Sequence, residues 1–512
     1  MSLTERTRVR SELTSREYVG LIVFLIVGGA ALRVGQLGHS LYEDYAFRQT
    51  QTALLARNYA ESGIDLRHSP LTVFGPRSDV PLELPLPQAM AALLQRLGLG
   101  PDFAMRMVGL SGFVVTAVVL AILVHRWHGR RAAVVATAVF QLTPFALLWG
   151  GAALIDFPAT ALALTMVLLA DIWFRGGRPW LLLLVGTVSA LAFLVKPTTA
   201  PVYCVLVLFA GLAALAGARA RDDEVRPSPR FRSSPLARVL AGLLTVGVPG
   251  LVAAGLWTHY ADGVKHSQPL VRFLESSALW SWNFGTTDQR TDPETYRLIG
   301  ERLTTEVWGV LPLVVLFALV AVVTSSGPER LLRVGWLVTA CAGPLVFFNL
   351  YVVHSYYLSG IYPALVVVVA LGVEGLLEST RSRPSVRAVL AVVLVASLAT
   401  TFFTDQGRHD ASKLWADQPR PYASTVIASH VPRGETVVMI GCDWDPTFAY
   451  YAHRTAVMFR GAGSERYWAD HDVNKVHWLF SCNPGLAPAK FLPPGVAAQP
   501  SEVPGLYVIA AR

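Results

Sequence analysis

The 512 residues are 53% hydrophobic and only 15% charged, with a mean hydropathy of +0.45, whereas soluble proteins carry roughly a quarter charged residues. Apolar runs of about 20 residues, enough to cross hydrocarbon as helix, recur along most of the chain and exclude a soluble fold. The net charge of +8 does not point to nucleic acid, because most arginines sit in short loops between apolar runs, where membrane orientation accounts for them.

In chain order, Met1 to Arg16 is basic and polar, and no small-residue cleavage site follows before Arg33. A retained first span is expected, not a removed signal peptide. Apolar segments at 17–36, 103–124, 132–149, 155–174, 179–195, 198–217, 237–258, 304–324, 334–352, 356–377 and 386–404 predict about eleven spans. With the N-terminus inside, the loops His125–Arg131, 174–178, 218–236, Pro328–Arg333 and Arg381–Arg387 fall on the cytoplasmic side, and each is basic. The short outer loops near 150–154 and 353–355 contain no Lys or Arg. This topology requires that 86–97, short and carrying Gln88 and Gln95, lies on the membrane surface. The Arg/Pro/Ser-rich stretch 218–236 reads as a disordered cytoplasmic linker. The transmembrane module is therefore 1–404, with large outer loops at 37–102 and 259–303 and an extracytoplasmic tail at 405–512.

The tail alternates in a way that predicts a small α/β domain with a mostly parallel sheet. Thr436–Ile440 and 476–480 read as buried strands, and 455–459 and 506–510 as weaker ones, with short helices at 422–430 and 446–452. Cys442 and Cys482 each follow a strand end, so either a disulfide or two buried thiols fits. Cys204 and Cys341 fall in apolar runs, as inert core residues, and no Cys/His spacing suggests zinc.

Polar residues beside the apolar runs carry the chemistry. Glu43 and Asp44 open the first outer loop. Asp44 suits an N-cap with Arg48 at i+4, and equally a general base that takes a proton from an acceptor hydroxyl. Glu83 lies between Pro81 and Pro85 in apolar surroundings, as a ligand or metal candidate. Asp156 precedes Phe157-Pro158, which suits capping or substrate contact. Lys196-Pro197 and His354-Ser-Tyr356-Tyr357 lie at outer turns; together they make a phosphate-binding set, with snorkelling and the aromatic belt as the bland alternatives. Trp280 and Trp282 are belt residues or a stacking surface for a sugar. The chain lacks GxxxxGK[ST] and GxGxxG.

These residues together resemble the GT-C glycosyltransferases, in particular the bacterial dolichyl-phosphate-mannose-protein mannosyltransferase-like and lipid A aminoarabinose transferase-like enzymes. The resemblance is carried by Asp44-x-x-x-Arg48-Gln49-Thr-x-Thr-Ala53, Glu83-Leu-Pro-Leu-Pro-Gln88, Asp156, Lys196-Pro197, His354-x-Tyr356-Tyr357, and Asp443-Trp-Asp-Pro446 with Tyr450, Tyr451 and Arg454. Leu84 and Pro87 replace aromatic residues of the family pattern, and the Glu43-Asp44 order keeps Glu43 as a second candidate base.

The resemblance implies a GT-C-like fold and an inverting transferase in the bacterial cytoplasmic membrane, using a polyprenyl-phosphate-linked sugar outside the cell. Asp44 would be the base, with Glu43 and Glu83 as further acids. Lys196, His354, Arg48, Tyr356 and Tyr357 would hold the donor phosphate. Asp156, Gln49, Trp280 and Trp282 would contact substrate, which is an envelope lipid, glycan or protein. A divalent metal, if used, would take ligands from Asp44, Glu83, Asp156 and His354. A lipid transporter or flippase is the alternative; such proteins often show matching broken helices in two halves, and no such internal symmetry is visible.

Overall fold

The computed structural model describes residues 13–222, 234–307, 311–460 and 464–510. Helix dominates, and over the described residues each expected apolar segment lies mainly on helix. Among the described residues seven helices are long and apolar enough to cross a membrane: Ser15–Gly38, Pro101–His128, Asp156–Phe174, Ala200–Ala218, Pro235–His266, Tyr362–Ser379 and Pro384–Phe403. Trp180–Val195 is apolar but shorter. The helix after 237 continues past the expected end at 258 to His266. The expected linker is helical up to Asp222 and again from Pro235, and its middle lies outside the described residues, as do Met1 to Glu12.

Two expected spans are broken, for identifiable reasons. Segment 132–149 divides into Arg130–Leu142 and Pro144–Trp149, because Pro144 has no N–H to continue the ladder. Thr143 caps the second piece, its hydroxyl accepting from Ala146 N. The fully buried Arg33 of the first helix donates to carbonyls on both sides of the break, Gln141 O (2.8 Å) and Ala146 O (2.9 Å), the latter also accepting from Gly150 N. A charged side chain thus bridges the break. Segment 334–352 breaks at Phe347, where Gly327–Val346 gives way to Phe348–Val353. A 3-10 turn, Ser355–Gly360, then leads into the helix Tyr362–Ser379. Leu86–Arg96 has 11 residues, about 16 Å of helix, so it cannot cross. Cys341 is exposed on a bundle helix and is not a core residue.

The basic loops gather at one end of the bundle. Arg130 donates to Leu13 O and Ser15 Oγ, Arg131 pairs with Glu378, and Arg126 and Arg175 converge on the buried Asp171. The tail packs at the other end. Its sheet comprises β1 (Thr436–Ile440), β2 (Thr455–Phe459), β3 (Trp478–Ser481), β4 (Ala497–Pro500) and β5 (Leu506–Ala510), in the order β2-β1-β3-β5-β4. β1 pairs parallel with β2 and β3, whereas β5 pairs antiparallel with β3 and β4. The sheet is mixed, not mostly parallel, because the short β4 folds back on β5 without a crossover helix. β4 is mostly exposed, so it lacks the apolar run that marks a buried strand.

The first loop is stitched to this sheet. Ala456 N and Met458 N donate to Thr72 O and Val73 O, and Gly75 N donates to Ala456 O, so the loop covers the β2 edge. Buried Arg57 donates to Tyr450 O (2.7 Å), and Tyr450 and Tyr451 both bond Asp102. Cys442 and Cys482 are disulfide-bonded across the ends of the neighbouring strands β1 and β3, at a sequence separation of 40. Cys442→Ser should destabilise the tail by about 2–5 kcal/mol. Thermal unfolding of the full chain should show this as a lower tail transition that matches the wild type under reductant.

Candidate functional site

Two clusters meet at the tail end of the bundle, joined by the turn that starts the helix Ala46–Ser62. Tyr45 is the N-cap, in the left-handed conformation (φ 52°), and no side chain caps the helix. The capping role expected for Asp44 is therefore not seen, and Arg48 does not pair with it. Positive φ at a bulky residue is costly, and such strain concentrates at functional sites. Here it carries the Tyr45 ring against His354 (4.9 Å, edge-on), Tyr356 (5.2 Å) and Trp149 (5.7 Å).

The first cluster is cationic. Lys196, at the C-terminal end of Trp180–Val195, bonds Asp156 at 2.5 Å, with both side chains only 2% exposed. Its ammonium also lies over the rings of Tyr357 (4.7 Å) and Tyr356 (5.7 Å). Asp156 is the first residue of its helix, does not cap it, and keeps Oδ2 without a hydrogen bond. Arg48 donates to Glu83 (2.7 Å) and Gln51 (2.8 Å). The Glu83 segment reaches Lys196 through the chain, since Leu84 N donates to Leu194 O. Prolines on either side keep Glu83 out of helix, which leaves this backbone N–H available.

His354 sits among these groups, and burial plus the charges of Arg302, Arg48 and Lys196 push its pKa down to about 4. It is therefore neutral near pH 7, a hydrogen-bond donor and not a cation. Its Nδ1 is buried without a partner. Arg48 and Lys196 are thus paired with the carboxylates Glu83 and Asp156, and Arg302, which donates to Tyr351 O, adds its charge beside the neutral imidazole. These cations, with the His354 ring nitrogen left unpartnered, suit an anion.

The second cluster surrounds Glu43 and Asp44. Glu43 is 4% exposed and accepts from Arg106 (2.8 Å) and Gln49 (3.1 Å). Gln49 is fully buried; it also donates to Asp44 O and accepts from Ala153 N, so its amide holds the turn in place of substrate. Glu43 is a structural partner, because breaking a buried pair costs about 3–5 kcal/mol. Glu43→Ala should lower the unfolding temperature sharply and by more than Asp44→Ala, whose carboxylate is partly solvated, measured by thermal unfolding in detergent.

Asp44 is 29% exposed, and its Oδ2 meets His409 Nε2 (2.8 Å) and Lys413 Nζ (3.3 Å) from the tail. Beside them Asp410 is buried, accepts from Gln406, and keeps Oδ2 unpartnered. Burial pushes its pKa up to about 7, against the hydrogen bond from Gln406. An acid raised from 3.8 costs stability as pH climbs towards 7, the full loss being on the order of 4 kcal/mol. Asp410→Asn should therefore raise the unfolding temperature more at pH 8 than at pH 5.

Of the remaining candidates, Trp282 lies 5.7 Å from His354 and half exposed, while Trp280 is 65% exposed and packs on Phe284 instead. Among the described residues no three His, Cys, Asp or Glu side chains form a group suited to a metal, so Asp44, Glu83, Asp156 and His354 do not make one. Glu83 and Asp156 face cations already. Sequence reasoning missed Arg302, His409, Asp410 and Lys413. The only signal for His409 and Lys413 was their i, i+4 spacing just beyond the last apolar run.

Residues 79–221, which include Glu83, Asp156 and Lys196, match the family model for dolichyl-phosphate-mannose-protein mannosyltransferase. No curated protein matches the sequence significantly. The fold is similar to that of ArnT from Cupriavidus metallidurans bound to undecaprenyl phosphate, with TM-score 0.60 and 14% identity over 97% of this chain and 98% of that one. It is also similar to the oligosaccharyltransferase AglB from Archaeoglobus fulgidus in complex with an inhibitory peptide and a dolichol-phosphate, with TM-score 0.55 and 13% identity over 91% of this chain and 69% of that one. Another AglB structure, in complex with Zn and sulfate, matches at TM-score 0.54 and 13% identity over 90% of this chain and 67% of that one. The chain is a polytopic helical membrane protein with the GT-C glycosyltransferase fold.

Proposed function

We propose that the chain is a membrane glycosyltransferase that moves a sugar from a polyprenyl-phosphate-linked donor to an envelope lipid, glycan or protein. The observation that carries this reading is the convergence of Arg48, Lys196 and Arg302 on the neutral His354 at the tail end of the bundle. A lipid-linked donor is anchored in the bilayer, so its phosphate must be met by cations near the membrane boundary. The likeness to a protein holding undecaprenyl phosphate supports the same ligand class. The basic loops at the other end support an outward-facing site by the positive-inside rule, in a bacterial cytoplasmic membrane.

In this reaction an acceptor oxygen attacks the anomeric carbon as that carbon's bond to the phosphate oxygen breaks. The lipid phosphate leaves with the electron pair, and the anomeric centre inverts. Lys196 and Arg48 stabilise the charge that builds on the leaving phosphate, and His354 donates a hydrogen bond to it. Asp44 takes the proton of the acceptor hydroxyl. Glu83 and Asp156 hold the two cations in place before the donor arrives, so little reorganisation is needed.

Mass spectrometry of envelope glycolipids and glycans, from strains with and without the gene, tests the proposal. One sugar-bearing species should disappear and return on complementation. An unchanged envelope profile would contradict the transferase reading.

A further inference from the structure

Asp44 is gripped on one side only. His409 Nε2 and Lys413 Nζ both reach Oδ2, and Oδ1 has no hydrogen-bond partner among the described residues. Asp44 and His409 are partly exposed but Lys413 is buried, and a carboxylate has two oxygens that can accept. Here the sharing is lopsided. The imidazole faces an acceptor-only carboxylate, so Nε2 must carry the proton.

The two donors come from one place. His409 lies on the helix Asp405–Ser412 and Lys413 is its C-cap, directly after the last membrane-crossing helix. That helix is firmly seated. Thr404 caps its start through Gly407 N, and Asp410 is wholly buried with a hydrogen bond from Gln406. A few residues on, Asp417 accepts from Ser40 N (2.8 Å), tying the tail to the loop that carries Asp44. The carboxylate and its donors are 365 residues apart in sequence, yet both are held from two directions.

We propose that His409 and Lys413 form a two-point clamp on Oδ2 of Asp44 that leaves Oδ1 aimed at the acceptor hydroxyl. This assignment rests on the transferase reading above. His409 is a positioning residue: it touches neither substrate nor the reacting atoms and acts through the carboxylate. Without it, the carboxylate can rotate about its last bond towards water or towards Lys413 alone, and misplacement by about 1 Å can cost 100-fold in rate. Lys413 adds a second contact to the same oxygen from a side chain that is itself nearly buried. Proton flow is unchanged by the clamp; the hydroxyl proton goes to Oδ1 and is later lost to solvent, to which Asp44 is partly open.

The test uses the full chain in nanodiscs, with synthetic undecaprenyl-phosphate hexoses and pentoses as donors. Binding of undecaprenyl phosphate is measured separately. His409→Ala should lower kcat by about 10- to 100-fold, with KM for the donor and undecaprenyl phosphate affinity within about twofold of wild type. His409→Gln, whose amide N–H reaches a similar place, should recover most of that loss. Lys413→Met should lower kcat in the same sense. Turnover of His409→Ala within twofold of wild type would overturn the clamp alone. So would equal losses in the Ala and Gln variants, or a loss of turnover matched by a loss of donor affinity. A wild-type protein that neither binds undecaprenyl phosphate nor transfers sugar would overturn the transferase reading, and the clamp with it.

Discussion

Asp44→Asn should lower kcat by about 10²- to 10⁴-fold, with folding and undecaprenyl phosphate binding unchanged. The amide keeps the size of the carboxylate and can still accept from His409, so the tail contact survives. It cannot take a proton. Had Asp44 capped the helix, the change would also weaken a cap, a loss of about 1 kcal/mol. Tyr45 is the cap residue and no side chain bonds there, so no capping loss should appear. Turnover and thermal unfolding on the same preparation separate the two outcomes. Wild-type turnover would remove Asp44 from the mechanism.

Lys196→Met should be the most damaging single change for both fold and donor binding. It leaves Asp156 buried at 2% exposure with no counter-charge, a cost of about 3–5 kcal/mol. It also removes a charge-assisted bond to phosphate, about 1.5–3 kcal/mol or roughly 10- to 100-fold in affinity. The double variant Lys196→Met/Asp156→Asn separates these effects. Removing both charges should restore much of the stability, since a buried pair adds little over a neutral one. Phosphate binding should stay weak. Recovery of undecaprenyl phosphate binding in the double variant would mean that Lys196 serves the fold and not the donor.

What the sequence made legible follows from the period and placement of its residues. Apolar runs mark membrane helices because backbone groups in lipid must bond internally, and over the described residues these runs lie mainly on helix. Lys196, Asp156, Glu83 and Tyr357 could be singled out because a charge or phenol beside an apolar run is costly without a purpose. Their partners were harder to see. Asp44 with Arg48 fits an i, i+4 pair, yet Arg48 turns to Glu83, 35 residues on. Glu43 and Asp44 are neighbours with opposite surroundings, one sealed against Arg106 and the other open to the tail. Nothing local distinguishes them. His409 and Lys413 lie in a polar stretch that reads as a connector, and only the docking of tail on first loop gives them meaning. The mixed sheet was missed for a related reason: β4 is exposed and has no apolar signature.

The central claim is that Lys196, Arg48 and His354 hold the phosphate of a polyprenyl lipid. Cryo-electron microscopy of the full chain with undecaprenyl phosphate tests it most directly. The phosphate oxygens should lie within hydrogen-bond reach, about 2.7–3.2 Å, of Lys196 Nζ, the Arg48 guanidinium and His354. The isoprenoid tail should run from there into the bilayer. A phosphate seated at the opposite end, beside Arg126 and Arg175, or one that leaves those three residues untouched, would contradict the claim.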